Sequence, residues 1–224
     1  MSPPARKETI SSRISAKLRN AILRGDLAPG AKINLDRLRE EYDISISPLR
    51  EAVSRLVSDG LVDFEDQRGY RVTPISLANL KEVTLLRAEF EVLALRTSIA
   101  LGDLDWESDV MRALYRLTHT ARDGADPASV EAWEAAHTEF HMALIRGCRM
   151  PLLQHFCTML HNMNDRYRRI FLQKNPSGRD ARAEHEAIAA AATARNSDLA
   201  CAALHDHIVR TGEDLAARLA TVAR

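Results

Sequence analysis

Four histidines in the second half of this sequence have the type and spacing that can bind a divalent metal. His137 and His141 lie one turn apart on one face of a predicted helix over residues 127–147, because side chains at positions i and i+4 of a helix stack. That spacing suits two imidazoles on one metal ion. His185 and His207 fall in two later helical segments, so three helices of a small bundle would supply the four rings.

The other histidines show no such pattern, and any histidine taken alone is more often a surface residue or a hydrogen-bonded core residue. His205 is two residues from His207, so only one of the two can face inwards. His119, His155 and His161 have no partner at a useful spacing, and we expect them to be structural or exposed.

Arginines on helical faces form a second candidate set, and their chemistry is the binding of a carboxylate. Arg87 stands inside the apolar series of a predicted helix over residues 77–101. Arg166 and Arg169 share a helical face, so one of them is expected to point into a cavity, although arginine-rich segments are more often solvated. That arginine, together with Arg87, could bind a carboxylate through paired hydrogen bonds.

Helical segments position these side chains, and no strand pattern occurs from Leu77 onwards. Six segments follow, separated by residues 102–103, 123–127, 147–151, 175–178 and 196–198. Because these connections are short, neighbouring helices should run antiparallel in an all-α bundle.

The first part of the chain is centred on a short helix over residues 45–60. We expect Ser47 to cap its start, Pro48 to occupy a position that needs no amide hydrogen, and Gly60 to end it. Arg50 and Arg55 lie off its apolar stripe and should be free to contact a partner. The polar residues of its first turn are Ser45, Ser47 and Arg50. They suit a groove lined with phosphates and base edges.

Two further helices and two strands surround this element. Helices are predicted over residues 10–24 and 34–42, and the second is joined to the central helix by a short turn, as in a helix-turn-helix. Residues 61–64 and 70–73 are typical of two short strands, with Arg68-Gly69 at the tip. That hairpin is the wing of the domain.

These features resemble the winged helix-turn-helix of GntR-family transcriptional regulators over nearly all of residues 10–75. The matching segments are Ile22-Leu23-Arg24-Gly25-Asp26-Leu27, Pro29-Gly30, Ser45-x-Ser47-Pro48-Leu49-Arg50-Glu51-Ala52, Gly60-Leu61-Val62 and Arg68-Gly69-Tyr70-x-Val72. The resemblance implies that DNA is contacted by Ser45, Ser47, Arg50 and Gly69, together with Arg68. Ile46 stands where the family usually has an arginine that reads a base, so the resemblance places Ile46 among the DNA-contacting residues. Because isoleucine replaces that arginine, we expect the operator sequence to differ from the family's commonest one.

The second part resembles, more loosely, the FCD ligand-binding domain of the FadR-like subfamily. The matching residues are Arg87-x-x-x-Glu91, Phe140-His141, Glu184-His185-x-x-Ile188, Asp198 and His207-Ile208. The resemblance implies a metal on three histidines and one aspartate, at a site for a small carboxylate. The stretch over residues 140–168 is most similar to bacterial regulators of small-dicarboxylate and amino-acid catabolism, which implies an effector of that kind. The family's aspartate falls at His137, and the resulting four nitrogens suit Zn²⁺ or Ni²⁺ better than a hard cation. A metal-free site that binds anions through protonated imidazoles is the alternative.

The composition of the chain limits how it could bind DNA and where in the cell it would act. Lys plus Arg and Asp plus Glu both number 31 in 224 residues, so affinity for DNA has to come from a local surface and a dimer. Three separated cysteines form no disulfide framework. Neither a signal peptide nor an apolar run of the roughly 20 residues that span a bilayer occurs, so we expect a cytoplasmic protein without a membrane partner.

The sequence therefore predicts a mainly α homodimer, with a winged helix-turn-helix domain over residues 1–76 and a helical ligand-binding and dimerisation domain over 77–224. It would bind a pseudo-palindromic operator, as a repressor, under the control of a small organic acid near the metal. A metal-dependent enzyme with a DNA-binding domain and a pure metal sensor are the alternatives. The enzyme would need an acid or base, and Glu134, Glu139 and Glu184 have no compelling spacing.

Overall fold

Two structural units divide the chain, Met1–Ile75 and Ser76–Arg224. The computed structural model describes residues 9–172 and 179–222, so the expected loose N-terminal lead and the expected loop at residues 175–178 lie outside the described residues. As the sequence predicts, the fold is mainly α, with a small antiparallel sheet in the N-terminal unit and an antiparallel all-α bundle as the C-terminal unit.

In the described part of the N-terminal unit, three helices begin and end at capping residues. They are α1 (Ile10–Arg24), α2 (Leu35–Tyr42) and α3 (Ile46–Ser58). The Thr9 side chain accepts a hydrogen bond from the Ser12 amide at the start of α1, and Gly25, with φ 83°, ends that helix. Asn34 caps α2 by accepting from two amides of its first turn. Local capping chemistry therefore explains why the bounds of these two helices agree with the prediction.

The start of α3 differs from the prediction. Ser45, and not Ser47, precedes the helix, and its side chain makes no capping hydrogen bond. Ser47 lies in the first turn, and Pro48 is the third helical residue, where an amide hydrogen would still lack an intrahelical acceptor. The helix is followed by Asp59, and Gly60 has the expected left-handed conformation with φ 69°.

Three short strands complete the described part of this unit. They are β1 (Lys32–Ile33), β2 (Val62–Glu65) and β3 (Gly69–Val72), in the antiparallel order β1-β3-β2. The predicted hairpin is present, with Phe64 opposite Tyr70. The pairing of β1 with β3 was not predicted. Apolar side chains of the helices and the sheet form the core of the unit.

Six helices occur in the described residues of the C-terminal unit, where the sequence predicts six. They are α4 (Leu77–Leu101), α5 (Leu104–His119), α6 (Pro127–Arg146), α7 (Pro151–Leu172), α8 (Ala181–Thr193) and α9 (Ser197–Val222). Several begin after a side chain that accepts an amide hydrogen bond of the first turn, namely Ser76, Asp103, Asp126 and Asp180.

Helix α4 is central to this unit and packs against α6, α7, α8 and α9. Buried apolar side chains of these helices form a continuous core that includes Phe140, Leu144 and Ile188. Helices α4 and α9 approach closely at Gly212, where a Cβ atom would collide with the side chain of Thr84. Among the described helices, none has the length and apolar character needed to cross a membrane.

Candidate functional site

The first turn of α3 presents the polar side chains that the sequence assigns to DNA reading. Ser45, Ser47 and Arg50 are exposed, whereas Ile46 is half-buried against the core of the N-terminal unit. Within the described residues, Arg50 has neither a hydrogen bond nor an ion pair. A half-buried isoleucine can offer a base only an apolar contact.

The remaining expected contacts lie on the wing, and one arginine of α3 is already engaged. Arg68 and Gly69 are at the turn between β2 and β3, and the side chain of Arg68 is 79% exposed. Arg55 was expected to be free, but it donates to Glu51 Oε1 at 2.7 Å and to Ser12 Oγ at 2.9 Å. Arg55 therefore holds α3 against α1.

The C-terminal unit brings together the four histidines singled out in the sequence. His137 and His141 come from α6, His185 from α8 and His207 from α9, and all four are buried. Each ring offers one nitrogen, and these nitrogens lie within 4.8 Å of one another. A single metal ion among them would be within reach of all four rings.

Carboxylates orient two of these imidazoles. Glu91 Oε2 accepts a hydrogen bond from His141 Nδ1 at 2.9 Å, and Glu184 Oε2 accepts one from His207 Nδ1 at 2.7 Å. A proton on Nδ1 leaves the lone pair of Nε2 for a metal. The sequence alone does not reveal this role of the two glutamates, although the spacing of Arg87 and Glu91 is that of a helical ion pair.

Unpartnered nitrogens make this cluster fit a metal ion. His141 Nε2 and His185 Nε2 are buried and have no hydrogen-bond partner within residues 9–172 and 179–222. A buried polar atom without a partner is costly, and a metal ion would satisfy both nitrogens.

Burial keeps the four imidazoles neutral, which is the form that binds a metal. It lowers the pKa of His141 to about 3, against the pull of Glu91. Burial also lowers the pKa values of His137, His185 and His207, and neighbouring imidazoles add to this effect at His137 and His185. Neutral rings support the metal-binding alternative over anion binding by protonated imidazoles.

His137 has a competing partner. Its ring stacks on that of Trp133, with the centroids 5.0 Å apart, and Arg168 Nη1 lies 2.6 Å from Nδ1 and 3.1 Å from Nε2. A metal ion on His137 would repel this guanidinium, so Arg168 would have to turn away or face an anion.

His161 is structural, which is one of the two expected outcomes, but its partners in the fold are not evident from the sequence. Its ring is buried, with Arg87 Nη2 3.3 Å from Nδ1 and Thr138 Oγ1 3.2 Å from Nε2. Glu91, His141 and His161 form a second group with metal-like spacing. However, Arg87 donates from Nε to Glu91 Oε1 at 2.7 Å, so a guanidinium already supplies the positive charge of this group.

A cavity of about 170 Å³ lies beside the four histidines. The arginines in its wall are Arg87, Arg122, Arg168 and Arg179. Arg87 is thus where the sequence placed it, whereas Arg166 and Arg169 are not part of this wall. Arg169 instead pairs with Asp165 at 2.9 Å and with Glu131 at 2.6 Å.

Comparison with known families agrees with the two-unit architecture. Residues 10–72 match the bacterial regulatory proteins of the gntR family, and residues 82–210 match the FCD domain. Among solved structures, Escherichia coli McbR/YncC has a TM-score of 0.76 at 19% sequence identity, and the match covers 92% of this chain and 97% of that chain. At this identity the likeness shows the fold alone.

The chain matches several relatives over most of its length. It is 34% identical over 208 residues to the HTH-type transcriptional regulator BphR of Paraburkholderia xenovorans (strain LB400), which covers 92% of this chain and 85% of BphR. It is 31% identical over 196 residues to the HTH-type transcriptional repressor GlaR of Escherichia coli (strain K12), which covers 86% of this chain and 89% of GlaR. The chain therefore belongs to the GntR family of transcriptional regulators, with a DNA-binding GntR domain followed by an FCD effector domain.

Proposed function

We propose that a small organic acid, held at a metal ion on the four histidines, controls operator binding by the winged helix-turn-helix. The observation that carries the proposal is the cavity beside these histidines. Two buried ring nitrogens there have no partner among the described residues, and four arginines line the wall. Such a regulator would act on chromosomal DNA in the cytoplasm.

The ligand set favours Zn²⁺ or Ni²⁺, because four imidazole nitrogens suit these ions better than hard cations. All four candidate ligands are histidines, including His137 where the resemblance implies an aspartate, so none of them carries a negative charge. The nearby carboxylates Glu91 and Glu184 are balanced by Arg87 and Arg179. The bound ion would supply a Lewis-acidic coordination position for a carboxylate, and its charge favours an anionic effector.

The wall of the cavity also favours an anion. Four arginines and the carboxylates of Glu134 and Asp214 line it, and two of the arginines, Arg87 and Arg179, are paired with Glu91 and Glu184. Burial is the main cause that lowers the pKa of Arg168 well below its usual value, and the charges of Arg87 and Arg169 add to this effect. A carboxylate of the ligand would accept paired hydrogen bonds from a guanidinium of this wall.

A homodimer on a pseudo-palindromic operator is part of the same proposal. Equal numbers of acidic and basic residues provide little general attraction to DNA, so two recognition helices on two half-sites would supply the affinity. An apolar groove at α4 and the start of α7 offers a surface for a second copy. It is lined by Phe90, Met150, Pro151, Leu152, Leu153 and Phe156.

Repression relieved by the acid is the direction we expect, and the relative GlaR is called a repressor. A metal-dependent enzyme is the weaker alternative, because the glutamates near the cluster are engaged. A hydrogen bond from His207 is the main cause that lowers the pKa of Glu184 to about 2, which makes Glu184 a weak base. Glu134 forms an ion pair with Arg168.

The test measures operator affinity by fluorescence anisotropy, with an operator selected from random DNA. Small mono- and dicarboxylic acids are added before and after a chelator removes the metal. We expect one acid to change the operator Kd about 5- to 150-fold, and chelation to abolish the response. A response that survives chelation would assign the acid to the arginines alone, and a response to metal without acid would indicate a metal sensor.

Two arginine variants check the DNA-reading surface in the same assay. Arg50→Ala should weaken specific operator binding by about 1–3 kcal/mol, because an exposed arginine of the first turn of α3 is lost. Arg112→Ala removes an exposed arginine of α5 and serves as the control of equal charge. Unchanged operator affinity in Arg50→Ala would remove the recognition-helix assignment.

A further inference from the structure

Asp214 of α9 places an unsatisfied acceptor in the wall of the cavity. Its Oδ1 accepts a hydrogen bond from Arg218 Nε at 3.0 Å. Its Oδ2 is buried and has no hydrogen-bond partner among the described residues. A buried carboxylate oxygen without a donor is costly, so it marks a position where a donor from a ligand would be favourable.

The arginines in the same wall are directed to other carboxylates. Arg87 pairs with Glu91, Arg179 with Glu184, and Arg168 with Glu134. Asp214 has no part in these three pairs, since its ion pair is with Arg218. It therefore differs from the other acidic side chain of the wall, Glu134, whose charge is balanced inside the cavity.

We propose that Asp214 selects an acid that carries a hydroxyl or ammonium group in addition to its carboxylate. This inference rests on the proposed effector function and specifies the class of acid. The carboxylate of the ligand would bind at the arginines and the metal, while the second group donates to Asp214 Oδ2. An acid without that donor leaves Oδ2 unpaired, and a further carboxylate placed beside Oδ2 would be repelled.

Calorimetric titration of the zinc-loaded, full-length protein tests this selectivity with matched acids. One set is propionate, lactate and alanine, and another is succinate, malate and aspartate. For at least one set, we expect the donor-bearing acid to bind about 10- to 100-fold tighter than the donor-free acid. Comparison of the hydroxy acid with the amino acid identifies the donor.

Variants test whether Asp214, and not a neighbouring acidic residue, causes the preference for the donor-bearing acid. In Asp214→Ala the preference for the donor-bearing acid should fall to about equal affinity, and Asp214→Asn, which keeps the size of the side chain, should reduce it as well. Glu213→Gln changes the exposed neighbour and should keep the wild-type preference. Melting temperatures of the variants without acid check their folding.

Two different failures can be told apart. If the wild type binds acids without regard to the donor, or if both Asp214 variants keep the preference, the selectivity inference is overturned and the effector function stands. If none of the acids binds the wild type or changes its operator affinity, the proposed function fails and the inference fails with it.

Discussion

At the scale of single residues, Glu91 links an ion pair to His141, one of the candidate metal ligands. Its side chain is fully buried, with Arg87 Nε 2.7 Å from Oε1 and His141 Nδ1 2.9 Å from Oε2. Burial raises the pKa of Glu91, but the charge of Arg87 and the interactions with His141 and His161 together outweigh it, and the pKa lies well below its ordinary value. The ionised carboxylate therefore keeps the proton of His141 on Nδ1 and makes Nε2 a stronger ligand.

Glu91→Gln should weaken zinc binding about 10- to 100-fold. The neutral amide would orient His141 less firmly and leave the buried charge of Arg87 unbalanced. Competition with a chromophoric chelator measures the zinc affinity. Glu89→Gln changes an exposed glutamate of the same helix and is the matched control. Equal affinity of the wild type and Glu91→Gln would show that Glu91 does not position the ligand.

At the scale of elements, one hydroxyl group fastens the start of α4 to α7. Tyr167 is fully buried, and its Oη accepts from the Ser76 amide at 3.2 Å and donates to Asn79 Oδ1 at 2.8 Å. The next residue, Arg168, lines the cavity. Because Ser76 is the first residue of the C-terminal unit, this contact joins the cavity wall to the point where the chain enters the unit.

Tyr167→Phe keeps the buried ring and removes these hydrogen bonds. It should lower the free energy of unfolding by about 1 kcal/mol and speed hydrogen exchange at the Ser76 amide. Chemical denaturation and exchange mass spectrometry measure the two effects. Tyr115→Phe, at an exposed position of α5, is the control. Unchanged exchange at Ser76 in Tyr167→Phe would mean that packing alone holds the start of α4.

Local chemistry explains which elements could be predicted from the sequence. The helices of the C-terminal unit start at Ser, Asp or Pro signals that act within a few residues, so their bounds were accessible. Strand β1 could not be predicted, because two residues show no periodicity and form a strand only by pairing with β3, which is distant in the sequence. The cap of α3 was misplaced by two residues because Ser45 and Ser47 have equal capping propensity.

In the candidate site, too, contacts between distant segments could not be predicted from the sequence. Helical spacing placed His137 and His141 on one face, but it does not tell which arginine of the segment around residues 166–169 meets the cavity. Arg168 does so, because the packing of α7 in the unit sets the rotation of the helix. His161 was missed because its partner Arg87 lies 74 residues away in the sequence.

At the scale of the whole molecule, buried neutral imidazoles make the stability of the metal-free protein depend on pH. Burial lowers the folded-state pKa values of the cluster, which consists of His137, His141, His185 and His207. Below the ordinary pKa of 6.5, the unfolded chain binds protons that the folded chain excludes. The contribution to stability is therefore fully present above that pH and is lost as the pH falls, down to about 3 for His141.

Urea unfolding in the presence of a chelator should show this loss as the pH falls from about 6.5 to about 5, at up to about 1.4 kcal/mol per pH unit for each imidazole that stays neutral. Glu184, with a pKa of about 2, contributes only below its ordinary pKa of 4.5, so the histidines dominate the range. His137→Leu should reduce the slope, and His155→Gln, at an exposed position, should keep it. A free energy of unfolding that does not change with pH would contradict the burial of neutral rings.

The apolar groove of α4 and α7 is the proposed interface between two copies of the chain, so a change there tests whether assembly affects DNA binding. Leu152 is 69% exposed in the single chain, so a charge there leaves the folded unit intact but would be buried in a dimer that uses this groove. Leu152→Glu should therefore sediment as a monomer and bind the operator more weakly, because each half-site is then occupied independently. Leu104→Glu changes a leucine of α5 that is 74% exposed and should remain dimeric. If only Leu104→Glu dissociates, the dimer interface lies at α5 and not at this groove. If the wild type is already a monomer, one recognition helix and its wing supply the whole affinity for DNA.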